Sequence, residues 1–238
     1  MFEELDYQPT SIGEISLRKR TDPRFDDEVI FEVKLGEEFL MSSLVTAGEI
    51  ALADLALNAH QGKALDVVVG GLGLGFTAAA ALAFPKVSSL VVVEALQPVI
   101  DWHQRALVPL GAALNSDERC SFHCADFFEL ALSHDGFTAE GEQLFDVILL
   151  DIDHSPKHRL TDHGDKPDDD FYHEHNLSKL AQQLKSDGIF AMWSNDPPED
   201  VFLTRLNNSF ASASAEVCEF PNPYSEGTSS NTIYLAHK

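Results

Sequence analysis

The residues best suited to chemistry are a glycine turn and a series of acids spaced along the middle of the chain. Gly70-Gly71-Leu72-Gly73-Leu74-Gly75 follows the apolar run LDVVVG. Glycine there permits positive φ and lets a ligand approach the backbone, and a helix starting after the turn offers free N–H groups. Glu94 ends the next apolar run, SLVVVE, about 20 residues past the turn, where a carboxylate can accept both hydroxyls of a ribose. Asp126 follows CSFHC and precedes Phe127: its carboxylate can accept from an exocyclic amine of adenine, and the ring can pack on the base. Asp126 and Glu129 also form a D-x-x-E capping box, and the two readings are compatible. Asp151-Ile152-Asp153 closes the run FDVILL, where an ionised carboxylate needs a partner. Asp151 is placed to bind or deprotonate a substrate amine, with Asp153 as a second anionic contact. Together these residues suit a nucleoside: ribose on Glu94 and Ala95, base near Asp126 and Phe127, reactive group facing Asp151.

The elements that must hold these residues are short apolar strands alternating with amphipathic helices. Strands are expected at 65–70, 89–94, 120–126, 145–151 and 188–194, with helices at 75–84, 98–107, 169–185 and 198–209. Such a pattern means a doubly wound, mostly parallel sheet covered on both faces, an α/β fold. Two last strands, 213–220 and 231–236, form a hairpin on one sheet edge and complete a seven-stranded sheet. Before this core, 12–18, 28–35 and 37–41 read as a small antiparallel unit. A helix over 43–60 joins the two, capped by Thr46-x-x-Glu49 or by Ser42 or Ser43. The domain division is a β-strand unit, 1–45, and a cofactor-binding domain, 46–238.

A length of 238 residues suits one core plus a small module at ~150 residues per domain. There are 16 Lys and Arg against 39 Asp and Glu, a formal net charge of −23. Nucleic acid and a polybasic membrane anchor are disfavoured, since Arg18-Lys19-Arg20 is the densest basic cluster. Three cysteines, Cys120, Cys124 and Cys218, form no disulfide framework and read as small buried residues. With neither a leader-like N-terminus nor a long apolar run, the expectation is a soluble, cytoplasmic protein. His154, His158, His163, His173 and His175, mixed with Asp162, Asp165 and Asp168–Asp170, match no zinc motif, so no metal is expected. The segment 154–175 reads instead as a loop over the active site. Tyr172 and Trp193 are candidates to line the acceptor pocket.

Gly73-x-Gly75-x-x-Ala78 formally fits a dinucleotide fingerprint. The acid after the third core strand and the closing hairpin favour an adenosyl sulfonium over NAD. VVVGGLGLG (67–75), SLVVVEALQPVIDW (89–102), DERCSFHCADFFEL (117–130), FDVILLDIDHSP (145–156), FY (171–172) and LKSDGIFAMWS (184–194) stand in the order seen in spermidine synthases. Over about 65–236 the chain resembles these polyamine aminopropyltransferases, which share the Rossmann-like fold of S-adenosylmethionine-dependent methyltransferases. The resemblance implies transfer of an aminopropyl group from decarboxylated S-adenosylmethionine to an amine acceptor, releasing methylthioadenosine. It also implies Glu94 on the ribose, Asp126 on the adenine amine and Asp151 as the acid that orients and deprotonates the amine. The family often forms homodimers. The sequence departs from the family at three points. Gly71-Leu72-Gly73-Leu74 lacks the acid that holds the aminopropyl ammonium. Asp151 and Asp153 are separated by one residue instead of two. Ser42–Ala53 keeps only Glu49 of a Tyr-His-Glu run. The alternatives are a methyltransferase using S-adenosylmethionine itself, with S-adenosylhomocysteine as product, and a non-catalytic adenosyl-ligand binder.

Overall fold

A computed structural model describes residues 1–138, 141, 143–160 and 170–238. The core is one seven-stranded sheet. Its strands are β5 (Leu65–Gly70), β6 (Val87–Glu94), β7 (Cys120–Cys124), β8 (Phe145–Leu150), β9 (Leu184–Ser194), β10 (Ser212–Pro221) and β11 (Thr228–His237). The spatial order is β10-β11-β9-β8-β5-β6-β7. Strands β5 to β9 run parallel, and β11 is antiparallel to both its neighbours. The chain winds outward from β5 to β7, then returns to place β8 on the other side of β5. That reversal opens a crevice at the carboxyl ends of the strands, the place where open α/β sheets bind ligands.

Side-chain alternation splits the sheet between two apolar clusters. Val67 and Val69 of β5, with Val147 and Leu149 of β8, face the cluster that holds α1 (Ala47–Ala59), α2 (Phe76–Leu82) and α3 (Gln97–Gln104). Val68, Ile148 and Leu150 face the cluster under α5 (Phe127–Leu132), α6 (Glu174–Gln182) and α7 (Asp200–Ser209). Both faces are covered, which is why every position of β8 is buried and its last four residues are all apolar. A short α4 (Gly111–Ser116), not expected from the sequence, precedes β7. Helix α6 starts at Glu174, later than expected, and residues 161–169 lie outside the described set. Among the described residues no helix is long and apolar enough to cross a membrane.

The N-terminal unit is a four-stranded antiparallel sheet in sequential order: β1 (Phe2–Thr10), β2 (Gly13–Thr21), β3 (Val29–Leu35) and β4 (Glu38–Ser42). Strand β1 was not expected. Its residues are exposed or half-buried throughout, so it carries no buried apolar alternation to read. Arg18 and Arg20, the ends of the basic cluster, both donate to the buried Glu32 across β2 and β3, at 2.7 and 2.8 Å. Ile15, Leu17 and Val33 belong to the same apolar cluster as α1 to α3, so this sheet is packed onto the core.

A polar tie reinforces that packing. The fully buried Trp102 of α3 donates its indole N–H to Asp6 Oδ2 of β1 at 2.7 Å. Deleting the acceptor leaves a buried donor unpaired, at a cost of about 1–3 kcal/mol. Asp6→Ala is therefore expected to lower the unfolding free energy by about that amount in chemical denaturation, and Asp6→Asn, which keeps an oxygen, by less.

Candidate functional site

The crevice is built from four consecutive strand ends. Pairing aligns Gly70 of β5 with Val93 of β6 and Leu150 of β8, and Glu94 with Cys124. The turn after β5 and the chain after β8 therefore emerge side by side. The Asp151 N–H donates to the Gly70 carbonyl at 2.9 Å. Gly71 has φ +91°, and a Cβ there would collide with the Asp151 carbonyl oxygen. Gly70 lies beneath Phe127, whose ring would be 2.6 Å from an added Cβ. The turn is thus glycine-rich for close backbone approach as well as for its positive φ.

Two joined cavities open along this edge. The larger, about 340 Å³, is walled by Gly71, Gly73, Glu94, Ala95, Asp126 and Phe127, and Asp151 also reaches it. It is roofed by the N-terminal sheet through Ser11, Ile12 and Leu35. The smaller, about 90 Å³, lies on the other side of Asp151 and meets Glu49, Gly75, Thr77, His154 and Trp193. Gly71, Gly73, Met41 and Asp151 line both, so Asp151 stands at their junction.

Glu94 accepts from the Leu72 N–H with Oε2 at 3.0 Å and from the Leu96 N–H with Oε1 at 2.9 Å. Desolvation raises its pKa, and these backbone bonds oppose the rise. A carboxylate has about four lone-pair sites, so hydroxyls can still donate to it. Asp126 caps α5, with Oδ1 accepting from Phe128 and Glu129 N–H at 2.7 and 3.2 Å. Its Oδ2 makes no hydrogen bond among the described residues, leaving it open to a donor. Capping and ligand contact are thus geometrically compatible.

Asp151 accepts from the Thr77 hydroxyl through Oδ2 at 2.6 Å. Burial raises its pKa. Glu49 faces it: desolvation first, then the Asp151 charge, push Glu49 up to about 8. Thr46 is the N-cap of α1 but makes no side-chain capping bond, and Glu49 is turned into the cleft instead of serving the expected capping box. The sequence offers Glu49 as a capping acid and as the remnant of a longer motif, not as a partner of Asp151. Its position one helical turn into α1 was legible; that α1 points it at β8 was not.

Asp153 and Tyr172 depart from expectation. Asp153 is buried and accepts from the Tyr172 hydroxyl at 2.7 Å and the Leu160 N–H at 2.9 Å. Among the described residues, neither Asp153 nor Tyr172 lines either cavity. Strand β8 ends at Leu150, so strand alternation does not carry from Asp151 to Asp153. Tyr172 is fully buried, and burial with the nearby Asp153 charge raises its pKa well above the ordinary value. Trp193, by contrast, lines the smaller cavity. The cysteines are not uniformly buried. Burial raises the Cys120 thiol to about 12, whereas Cys124 is exposed at the larger cavity and Cys218 is half-buried. Within the His/Asp-rich segment, Asp162, His163, Asp165, Asp168 and Asp169 lie outside the described residues. His154 Nε2 is 3.3 Å from Glu38 Oε1, linking the segment to β4.

Comparison with known proteins agrees with this fold. The fold is shared with the spermidine synthase of Thermotoga maritima: 18% identity, TM-score 0.71, over 99% of this chain and 72% of that one. A spermidine synthase bound to the transition-state analogue AdoDATO gives 18% identity and TM-score 0.73, over 99% and 73%. Human methyltransferase-like protein 13, in complex with SAH, gives 21% and 0.50, over 80% and 78%. No curated protein sequence matches the chain. The model of the spermine/spermidine synthase domain matches residues 48–222, which include Glu49, the glycine turn and every strand end of the crevice. The chain is therefore a transferase that belongs to the spermine/spermidine synthase domain family.

Proposed function

We propose that the protein transfers the aminopropyl group of decarboxylated S-adenosylmethionine to a small amine. The observation that carries this reading is Asp151 at the junction of a nucleoside-sized cavity and a smaller one, with Glu49 facing it in the smaller. In the larger cavity, ribose hydroxyls would donate to Glu94 beside Ala95. The adenine amine would donate to Asp126 Oδ2, with the base on Phe127 and the glycine turn, Gly70 to Gly75, behind the sulfonium. The amine would enter the smaller cavity past Trp193. Asp153 and Tyr172 take a positioning role, bracing the chain after β8 through their mutual hydrogen bond.

The reaction is a displacement. The amine nitrogen forms a bond to the carbon next to sulfur, the C–S bond breaks, and its electron pair stays on sulfur as the thioether methylthioadenosine. The proton lost by nitrogen passes to the Asp151–Glu49 pair. An amine at neutral pH is protonated and non-nucleophilic, so a nearby carboxylate with a raised pKa supplies what the leaving group does not. Alignment within the two cavities supplies the rest. The second reading is methyl transfer from S-adenosylmethionine, and the absence of an acid from Gly71-Leu72-Gly73-Leu74 favours it.

Mass spectrometry of reactions with either donor and a panel of amines separates them. Methylthioadenosine from the decarboxylated donor is the expected product; S-adenosylhomocysteine alone would establish methyl transfer, and no turnover with any pairing would leave a binding protein. Asp151→Asn keeps the Thr77 contact and is expected to lower turnover by about 10²–10⁴-fold while methylthioadenosine still binds. In calorimetry, Glu94→Gln is expected to weaken methylthioadenosine about 10-fold or more, the loss of charged hydrogen bonds. Glu49 gives a pH signature in the free protein. Its folded pKa of about 8 lies above the ordinary 4.5, so its stabilising proton is fully present below 4.5 and lost as pH climbs through 8. Melting temperature should fall over that window, and Glu49→Gln should flatten the fall.

A further inference from the structure

The glycine turn that walls both cavities is held from behind by a histidine. His103 lies in the last turn of α3 and is fully buried. Its Nε2 is 3.0 Å from the Gly73 carbonyl oxygen. A carbonyl oxygen only accepts, so Nε2 carries a proton and donates. Desolvation lowers the His103 pKa, and the bond to Gly73 opposes the fall without cancelling it, so the ring is neutral at pH 7. Burying an imidazole costs more than burying a hydrocarbon of the same size, but a hydrocarbon could not hold Gly73.

The place of the ring shows what that bond controls. A Cβ on Gly75 would meet the imidazole Cε1 at 2.8 Å, and one on Gly73 would meet Met41 Sδ of β4 at 2.5 Å. Met41 lines both cavities and His103 lines neither, so Met41 meets the turn on its ligand side and His103 on its buried side. Glu94 accepts from the Leu72 N–H at 3.0 Å and is stabilised by the Gly73 N–H as well. Within the turn, the Gly75 N–H donates to the Leu72 carbonyl at 2.8 Å. The peptide before Gly73 is thus tied to Glu94 and the peptide after it to His103. The ring is itself fixed: Asn115 Nδ2 donates to the His103 carbonyl at 2.6 Å, and the Phe122 ring lies 5.8 Å away.

We propose that His103 is a positioning residue for the adenosyl site: by holding the Gly73 carbonyl it keeps the glycine turn in its ligand-ready shape, with the Leu72 and Gly73 N–H groups on Glu94, before any ligand enters. This rests on the reading above to the extent that an adenosyl ligand fills the larger cavity. His103 touches neither cavity, so it acts through the turn and takes no part in proton transfer. Without its bond the Gly73 carbonyl is free to rotate, and the apparent affinity for a ligand falls by the fraction of time the turn spends in the competent shape.

The test compares His103→Gln, whose amide nitrogen can reach the same carbonyl, with His103→Phe, which fills the space without a donor. In hydrogen exchange of the free full chain, the Leu72, Gly73 and Gly75 amides are expected to exchange about 10-fold faster in the Phe variant and near the unaltered rate in the Gln variant. In calorimetry, methylthioadenosine should bind about 10-fold more weakly to the Phe variant, the order expected for one lost hydrogen bond, and within about 3-fold of the unaltered affinity to the Gln variant. Lost core packing alone would lower the melting temperature of both without this split. Unchanged exchange at the turn in the Phe variant, or equal losses in both, overturns the inference. Where circular dichroism shows that a variant fails to fold, nitrogen NMR of the unaltered chain decides: a neutral His103 with its proton on Nε2 upholds the inference, and a proton on Nδ1 or a charged ring overturns it. If the unaltered chain binds no methylthioadenosine, the adenosyl reading fails, while the exchange result still decides the role of His103.

Discussion

The contact between Gly71 and the Asp151 carbonyl is the constraint on which the site depends. Strand order reverses between β5 and β8, so their carboxyl ends must leave the sheet as immediate neighbours. No side chain at position 71 fits between the two backbones. Once they close on each other, bonded from Asp151 N–H to the Gly70 carbonyl, the turn is fixed within reach of Glu94 and the Asp151 carboxylate is set between two cavities. The chemistry then follows from burial. Carboxylates with few polar partners at the floor of a crevice hold protons at a pH where exposed acids would have lost them.

Much of this was legible because the parallel core writes itself in apolar runs. LDVVVG, FDVILL and GIFAMWS are buried on both faces and end in glycines, acids or polar residues where the strands stop. The crevice residues Glu94, Asp126 and Asp151 were readable for that reason. Strand β1 was not, since FEELDYQPT pairs through its backbone and buries no regular face. The partnership of Asp153 with Tyr172 was hidden because it depends on how the chain bends after Leu150, beyond the last residue that obeys strand periodicity. Glu49 illustrates a third case: local spacing offered it as a capping residue, and only helix packing against β8 and β9 reveals which way it faces.

The acid surplus takes on meaning only by location. Glu32 is spent on Arg18 and Arg20, Asp66 and Asp146 share Lys185, and Asp117 binds Arg119. These are structural pairs at sheet faces and strand starts. Glu49 and Asp151, by contrast, stand together in the cleft without a basic partner among the described residues.

The roof of the larger cavity belongs to the N-terminal sheet, whereas its floor belongs to the parallel core. Any molecule that fills the space touches both layers. By linkage, the free energy it gains on binding also opposes separation of the layers. Saturation at 100 times the dissociation constant adds about 2.7 kcal/mol to that cohesion. The small sheet is thus the part of the molecule whose attachment to the core a bound molecule would strengthen.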